Sequence, residues 1–122
     1  MLHTYFPDLR DKLAHHSWES GGGVSAVDIG RAEDALGPLP ADYKYFLSEF
    51  GWLTFGCWEV YGLGCGIPKY RDVVEMTICE RSEPAVPLPP TFVCIMNDGA
   101  GNLISFDVES VVKGRGNAST VL

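Results

Sequence analysis

The chain has 122 residues, of which 46% are apolar and 20% charged, enough apolar material for the core of one domain. Sixteen Asp and Glu residues against nine Lys and Arg give a net charge of -7, the wrong sign for gripping nucleic-acid phosphates. No apolar run approaches the ~20 residues of a membrane-spanning helix, and no secretory signal is recognisable. We therefore expect a cytoplasmic protein that binds neither nucleic acid nor membrane directly.

The N-terminal part of the chain predicts helices. Phe6, Leu9 and Leu13 recur at helical spacing and predict a short helix over residues 5–18. After a run of three glycines, Ser25 is placed to cap a second helix that Gly37 ends. Its expected buried face consists of Ile29, Ala32 and Leu36.

A third helix is predicted directly afterwards. Its apolar residues fall at i, i+3, i+4 and i+7, the spacing of a core-facing stripe, and Gly51 ends it. These residues are Tyr43, Phe46, Leu47 and Phe50.

Beyond Gly51 the sequence changes to aromatics and glycines, which favours two short strands within residues 52–61. Residues 72–81 have helical periodicity, and the four prolines within residues 84–90 predict an extended connector. Residues 91–96 and 103–106 are strand-like and flank a turn rich in Asn, Asp and Gly, which predicts a hairpin. This order of elements indicates an α+β fold with helices packed on a mostly antiparallel central sheet.

The sequence contains no recognisable catalytic or metal-binding pattern. The four cysteines form no C-x-x-C pair, which argues against a zinc ribbon or a thioredoxin motif. An even count could make two disulfides, but without a recognisable export signal we expect reduced thiols buried as small hydrophobic residues. The adjacent His15 and His16 would point about 100° apart on a helix and could not chelate one metal ion. We expect no catalytic residues, no cofactor and no metal.

A cluster of aromatics around one carboxylate suggests a protein interface instead. Trp52, Trp58 and Tyr61 lie close to Glu59 in a glycine-rich region, and Trp and Tyr are enriched among residues that dominate binding energy. In a domain of this size such aromatics are more often part of the core. Both interpretations stay open from the residues alone.

Four blocks of sequence follow one another over about residues 25–107. The first is Ile29-x-x-Ala32-Glu33-x-x-Leu36-Gly37-x-Leu39-Pro40-x-Asp42-Tyr43-Lys44-x-Phe46-Leu47, followed by Gly51. The others are Glu59-Val60-Tyr61-Gly62-Leu63, then residues 70–77, then Leu88-Pro89 through Asn97-Asp98-Gly99-x-Gly101-Asn102 to Phe106-Asp107. In this order the blocks resemble the SUKH superfamily of Smi/Knr-type domains. The resemblance implies the α+β fold described above and no established enzymatic activity.

The resemblance also implies a function. Bacterial members of the family are associated with polymorphic toxin systems as cytosolic immunity proteins that block a cognate toxin, often a nuclease. Fungal relatives act in cell-wall regulation and signalling, which gives the alternative of a regulatory scaffold. An acidic surface suits a basic nuclease. From residue type we expect partner contacts at Trp58, Glu59, Tyr61, Asp98 and Asp107.

Family members usually continue past the hairpin with a further strand and a closing helix, whereas residues 120–122 offer only a short strand here. We therefore expect one SUKH-like domain over residues 1–122, lacking that usual C-terminal part. An uncovered sheet edge would favour pairing with a second copy of the chain or with a partner strand.

Overall fold

The structure is a computed structural model that describes residues 13–14, 17–100, 102–112 and 120–121. The strands in this part of the chain are β1 (Trp18–Ser20), β2 (Leu53–Phe55), β3 (Trp58–Val60), β4 (Phe92–Asn97), β5 (Leu103–Asp107) and β6 (Thr120–Val121). The helices are α1 (Ala26–Leu36), α2 (Ala41–Phe50), α3 (Val73–Arg81) and α4 (Val108–Val112), with a 3-10 turn at Lys69–Arg71. The predicted α+β class is confirmed.

Helix α1 begins and ends at the residues that the sequence indicates. The Ser25 hydroxyl accepts a hydrogen bond from the Asp28 N–H at 3.3 Å, and Asp28 adds a negative charge to the first turn. Gly37 follows the helix with φ of 102°, a conformation that favours glycine. Ile29, Ala32 and Leu36 are buried as predicted.

Helix α2 presents the predicted apolar stripe to the sheet. Tyr43, Phe46 and Leu47 are buried, Phe50 is half-buried, and Gly51 ends the helix with φ of 72°. The Tyr43 hydroxyl donates a hydrogen bond of 2.6 Å to the carbonyl of Tyr61, which joins the helix to the end of β3. Burial raises the pKa of Tyr43 well above its ordinary value, so the phenol stays neutral.

The six strands form one antiparallel sheet in sequence order, from β1 at one edge to β6 at the other. The predicted two short strands and the predicted hairpin are β2–β3 and β4–β5. The register of the β4–β5 hairpin shifts between Cys94 and Met96, where one strand carries an extra residue. The proline-rich connector has no helix or strand, as predicted.

Helix α3 takes the place of a neighbouring strand along part of β4. Pairing of β3 with β4 stops at Val60 and Met96, followed by one further hydrogen bond from the Tyr61 N–H to the Ile95 carbonyl. Beyond that point the Thr77 side chain bonds the backbone of Cys94. The predicted helix over residues 72–81 is confirmed, with Asp72 as its N-cap.

Two predictions need correction, the end of the N-terminal helix and the burial of the cysteines. Leu13 and Ala14 are helical, but Trp18 already belongs to β1, so the helix expected over residues 5–18 does not reach its predicted end. Residues 5–12 of that range, together with His15 and His16, lie outside the described residues. Of the four cysteines only Cys94 is buried; the other three are exposed free thiols.

Candidate functional site

Four polar side chains form a row across β1 to β4, which we call the polar row. Adjacent members lie directly opposite one another in the antiparallel register, and directly opposite residues point to the same face of a sheet. Its members, in strand order, are Glu19, Thr54, Glu59 and Asn97. The row therefore crosses one face of the sheet from the β1 edge inward.

The polar row lies on the face that points away from α2. Trp18, next to Glu19, packs edge-on against Phe50 of α2, with ring centroids 6.3 Å apart. On β5, Phe106 lies 6.2 Å from Tyr43 of the same helix. Since successive strand residues point to opposite faces, Glu19 and its cross-strand neighbours point away from the helix.

The row carries two accessible carboxylates. Glu19 is exposed, and Glu59, two strands away, is half-buried; two strand spacings correspond to about 10 Å. Among the residues that the structure describes, no Lys or Arg forms an ion pair with either carboxylate. The face thus offers two negative charges to an approaching cation.

Asp98 extends the negative charge at the hairpin end of the row. It follows Asn97, and its carboxylate accepts hydrogen bonds from the Ala100 N–H at 2.8 Å and from the backbone and side-chain nitrogens of Asn102 at 3.1 and 2.8 Å. These bonds, the side-chain bond of Asn102 first, lower the pKa of Asp98. Cys57 anchors the same loop, since its thiol donates to the Asp98 carbonyl at 3.4 Å.

The opposite end of the row carries an arginine stacked on aromatic rings. Trp52 comes just before β2, and its carbonyl accepts a hydrogen bond from the Gly21 N–H at 3.3 Å. A Cβ on Gly21 would overlap Nε1 of Trp52, which places the indole over Gly21, on the same face as Glu19. The Arg71 guanidinium lies 4.4 Å from the centre of the Trp52 ring and 5.4 Å from that of Tyr70. We call these three residues the arginine stack.

The structure brings two of the five sequence-predicted contact residues together. Glu59 lies opposite Asn97, and Asp98 follows Asn97, so both residues lie near the same end of the sheet, with Glu59 on the accessible face and Asp98 in the hairpin loop. Asp107 lies at the other end of the β4–β5 hairpin, opposite Phe92, where its carboxylate accepts from the N–H of Glu109 and so caps α4. Asp107 therefore has a structural role and stands apart from the polar row.

The two predicted aromatic contacts belong to the interior. Trp58 is half-buried and packs against the core on the α2 side of the sheet. Tyr61 is only 2% exposed, and burial raises its pKa to about 12, although a side-chain hydrogen bond with Asn97 acts in the opposite direction. The ring of Tyr61 therefore offers little surface to a partner in this structure.

Sequence reasoning missed Glu19 and the arginine stack. Glu19 lies only one residue beyond the range predicted as helix, and its alignment with Glu59 depends on pairing between distant strands. Trp52 was recognised as an aromatic, but its contact with Arg71 joins residues in two separate loops. A sign of the stack was the sequence Tyr70-Arg71, which combines two residue types common at interfaces.

The described residues contain no group of three or more His, Cys, Asp or Glu side chains arranged to hold a metal ion. None of the described helices has the length and apolar character needed to cross a membrane.

Comparison with protein families matches the chain to the model of the SMI1 / KNR4 family (SUKH-1) over residues 23–120. The matched segment includes β2 to β5 and thus Thr54, Glu59 and Asn97 of the polar row. It also includes the arginine stack, whereas Glu19 on β1 precedes it. Curated proteins give no match to this chain.

Proposed function

Because the chain belongs to the SMI1 / KNR4 (SUKH-1) family, we propose that it is a non-catalytic immunity protein that binds and blocks a cognate protein toxin. Members of this family are generally immunity or regulatory domains. The proposed toxin has a basic surface of the kind that a nuclease uses to hold phosphate. The proposed site of action is the cytoplasm.

The observation that carries this proposal is the polar row. Glu19 and Glu59 lie on one accessible face without ion-pair partners among the described residues, and Asp98 adds a third carboxylate in the adjoining hairpin loop. Opposite charges across an interface speed encounter and disfavour partners of the wrong charge. The net charge of -7 adds attraction for a basic protein.

The proposed mechanism is steric and electrostatic. The rigid sheet holds the row in place, so the carboxylates need little reordering on binding. A toxin that docks a basic, substrate-binding surface against this face would lose access to its substrate. No group on the immunity protein has to react.

Co-expression tests the proposal. The chain is produced with the toxin domain encoded beside its gene, and growth rescue and recovery of a stable complex are scored. The proposal expects both, and it expects Glu59→Lys to rescue less well than Asp34→Lys, a control with the same charge change on the exposed side of α1. Rescue failing with folded protein, or a gene with no toxin neighbour, would favour a regulatory scaffold instead.

A further inference from the structure

Arg71 is held as a preorganised cation at one end of the accessible sheet face. Trp52 and Tyr70 both contact its guanidinium, and the Arg71 carbonyl accepts a hydrogen bond of 2.8 Å from the Gly62 N–H. Arg71 is directly followed by Asp72, the N-cap of α3. The backbone of Arg71 is thus tied to the end of the sheet on one side and to a helix on the other, and its guanidinium is held by the two aromatic rings.

The guanidinium has unused hydrogen-bonding capacity. No carboxylate in the described part of the chain lies within ion-pair distance of it, although the chain has 16 Asp and Glu residues. The adjacent Asp72 accepts hydrogen bonds from the N–H groups of Val74 and Glu75 instead. The Nε of Arg71 is buried and has no acceptor. Stacking covers the faces of a guanidinium and leaves the donors in its plane, which match the two oxygens of a carboxylate.

We propose that Arg71, Trp52 and Tyr70 form a binding site for a single carboxylate of the partner protein. The inference rests on the proposed function, since it adds a contact to the same complex. The polar row attracts a basic surface but does not select one docked orientation, whereas a stacked arginine that meets one Asp or Glu side chain fixes the register. Trp, Tyr and Arg are the residue types that dominate interface energies. Nucleic acid does not suit the site, because its many phosphates would meet a chain with a net charge of -7, whereas the proposed partner brings a single carboxylate on a basic surface.

The first test uses the full chain and a small probe, so it does not depend on the partner. Nitrogen–proton NMR spectra are recorded while the α-amide of N-acetylglutamate, which has one side-chain carboxylate, is added at constant ionic strength. We expect saturating shifts of the Arg71 Nε–H and Trp52 indole signals. The Trp52 shift should vanish in Arg71→Gln and persist in Arg71→Lys only in weakened form, since lysine lacks the planar pair of donors.

The matched control is Arg31→Gln, which makes the same charge change at an arginine whose side chain is 77% exposed on α1. It should leave the Trp52 response unchanged. A linear response that never saturates would overturn the site. An equal or stronger response to methyl phosphate would overturn its assignment to carboxylates. Thermal unfolding of each variant shows whether it is folded.

The second test uses the toxin complex recovered by co-expression. Arg71→Gln should raise the dissociation rate constant by about tenfold and change the association rate constant by less than about twofold, since a short-range paired contact acts mainly on dissociation. Unchanged dissociation, in a variant that still loses the probe response, would overturn the assignment of the carboxylate to the partner. Failure to find any complex counts against the proposed function, while the probe titration still decides the carboxylate site.

Discussion

Thr77 on α3 makes two hydrogen bonds to the backbone of a single residue of β4, Cys94. Its hydroxyl accepts from the Cys94 N–H at 3.2 Å and donates to the Cys94 carbonyl at 3.5 Å, and both residues are fully buried. Two residues earlier on the same strand edge, the Phe92 carbonyl accepts from Nε and Nη2 of Arg81 at 3.2 and 3.0 Å. Side chains of a helix thus satisfy backbone groups that a neighbouring strand would otherwise satisfy.

Replacing this hydroxyl should destabilise the fold locally. Thr77→Val keeps the side-chain shape but leaves the Cys94 N–H and carbonyl buried without partners, so we expect a loss of about 1–3 kcal/mol in the free energy of unfolding. Urea unfolding measures the loss, and hydrogen exchange at the Cys94 amide locates it. Thr77→Ser is the control, because it keeps the hydroxyl and should keep that amide protected. A Thr77→Val protein with an equally protected amide would contradict this account.

The buried thiol of Cys94, next to this contact, should not react with thiol reagents in the folded protein. Burial raises the pKa of Cys94 to about 12, and the thiolate is the reactive form. Cys57, Cys65 and Cys79 are exposed. A thiol reagent such as Ellman's should therefore modify three cysteines in the native protein and a fourth only after unfolding. Cys94→Ala should give three in both states, and a fourth rapid equivalent in the native wild type would contradict the prediction.

Alkaline pH should lower the free energy of unfolding through ionisation of the same Cys94 thiol. The folded state raises the pKa of Cys94 from 9.0 to about 12, so its stabilising contribution is complete below pH about 9 and is lost as the pH rises towards 12. Tyr61, raised from 10.0 to about 12, acts in the same direction from a higher starting pH. Urea unfolding across this range measures the decline. In Cys94→Ala the decline should begin later, near the ordinary pKa of tyrosine, and an unchanged onset would exclude the thiol as its cause.

The parts of the fold that were predictable from sequence depend on neighbours in the chain. Ser25 and Gly37 define α1 through contacts within a few residues, and the stripe containing Tyr43 and Phe46 defines α2 in the same way. The candidate site depends on long-range pairing. Glu59 was recognised as a carboxylate among aromatics, but the face it occupies follows from the register of β2, β3 and β4.

The differences between expected and observed burial have the same physical origin. Tyr61 was expected at an interface, yet its carbonyl bonds a tyrosine 18 residues earlier in the chain, and its ring lies in the core. The thiol positions also follow from packing, because cysteine is small enough for either environment, and only Cys94 lies on a strand that is covered on both sides. Composition does not distinguish these cases.

Adding a Cβ atom at Gly21 should displace the Trp52 ring and so disturb the arginine stack. A Cβ in Gly21→Ala would overlap the Trp52 indole, so the ring must move and its contact with Arg71 should weaken. We expect a loss of about 1 kcal/mol in the free energy of unfolding, together with changed tryptophan fluorescence and lost probe binding at Arg71.

Gly30→Ala is the matched control, because nothing lies within 4 Å of the added atom in the middle of α1. That variant should be more stable by about 0.5–1 kcal/mol. Unchanged fluorescence and probe binding in Gly21→Ala would contradict the placement of Trp52.

Charge reversal on the polar row should slow the encounter with a basic partner. Glu19→Lys and Glu59→Lys each change the local charge by two units on the accessible face, so the association rate constant should fall while the dissociation rate constant changes less. The loss should shrink as salt rises, because screening over about 8–10 Å at physiological ionic strength removes long-range attraction. Stopped-flow association at several salt concentrations measures both effects.

The control is Asp34→Lys, which makes the same charge change away from the polar row and so measures the effect of net charge alone. If all three variants slow association equally, the net charge of the chain accounts for the steering and the polar row has no separate effect. If association of the wild-type protein does not depend on salt, the electrostatic mechanism is wrong.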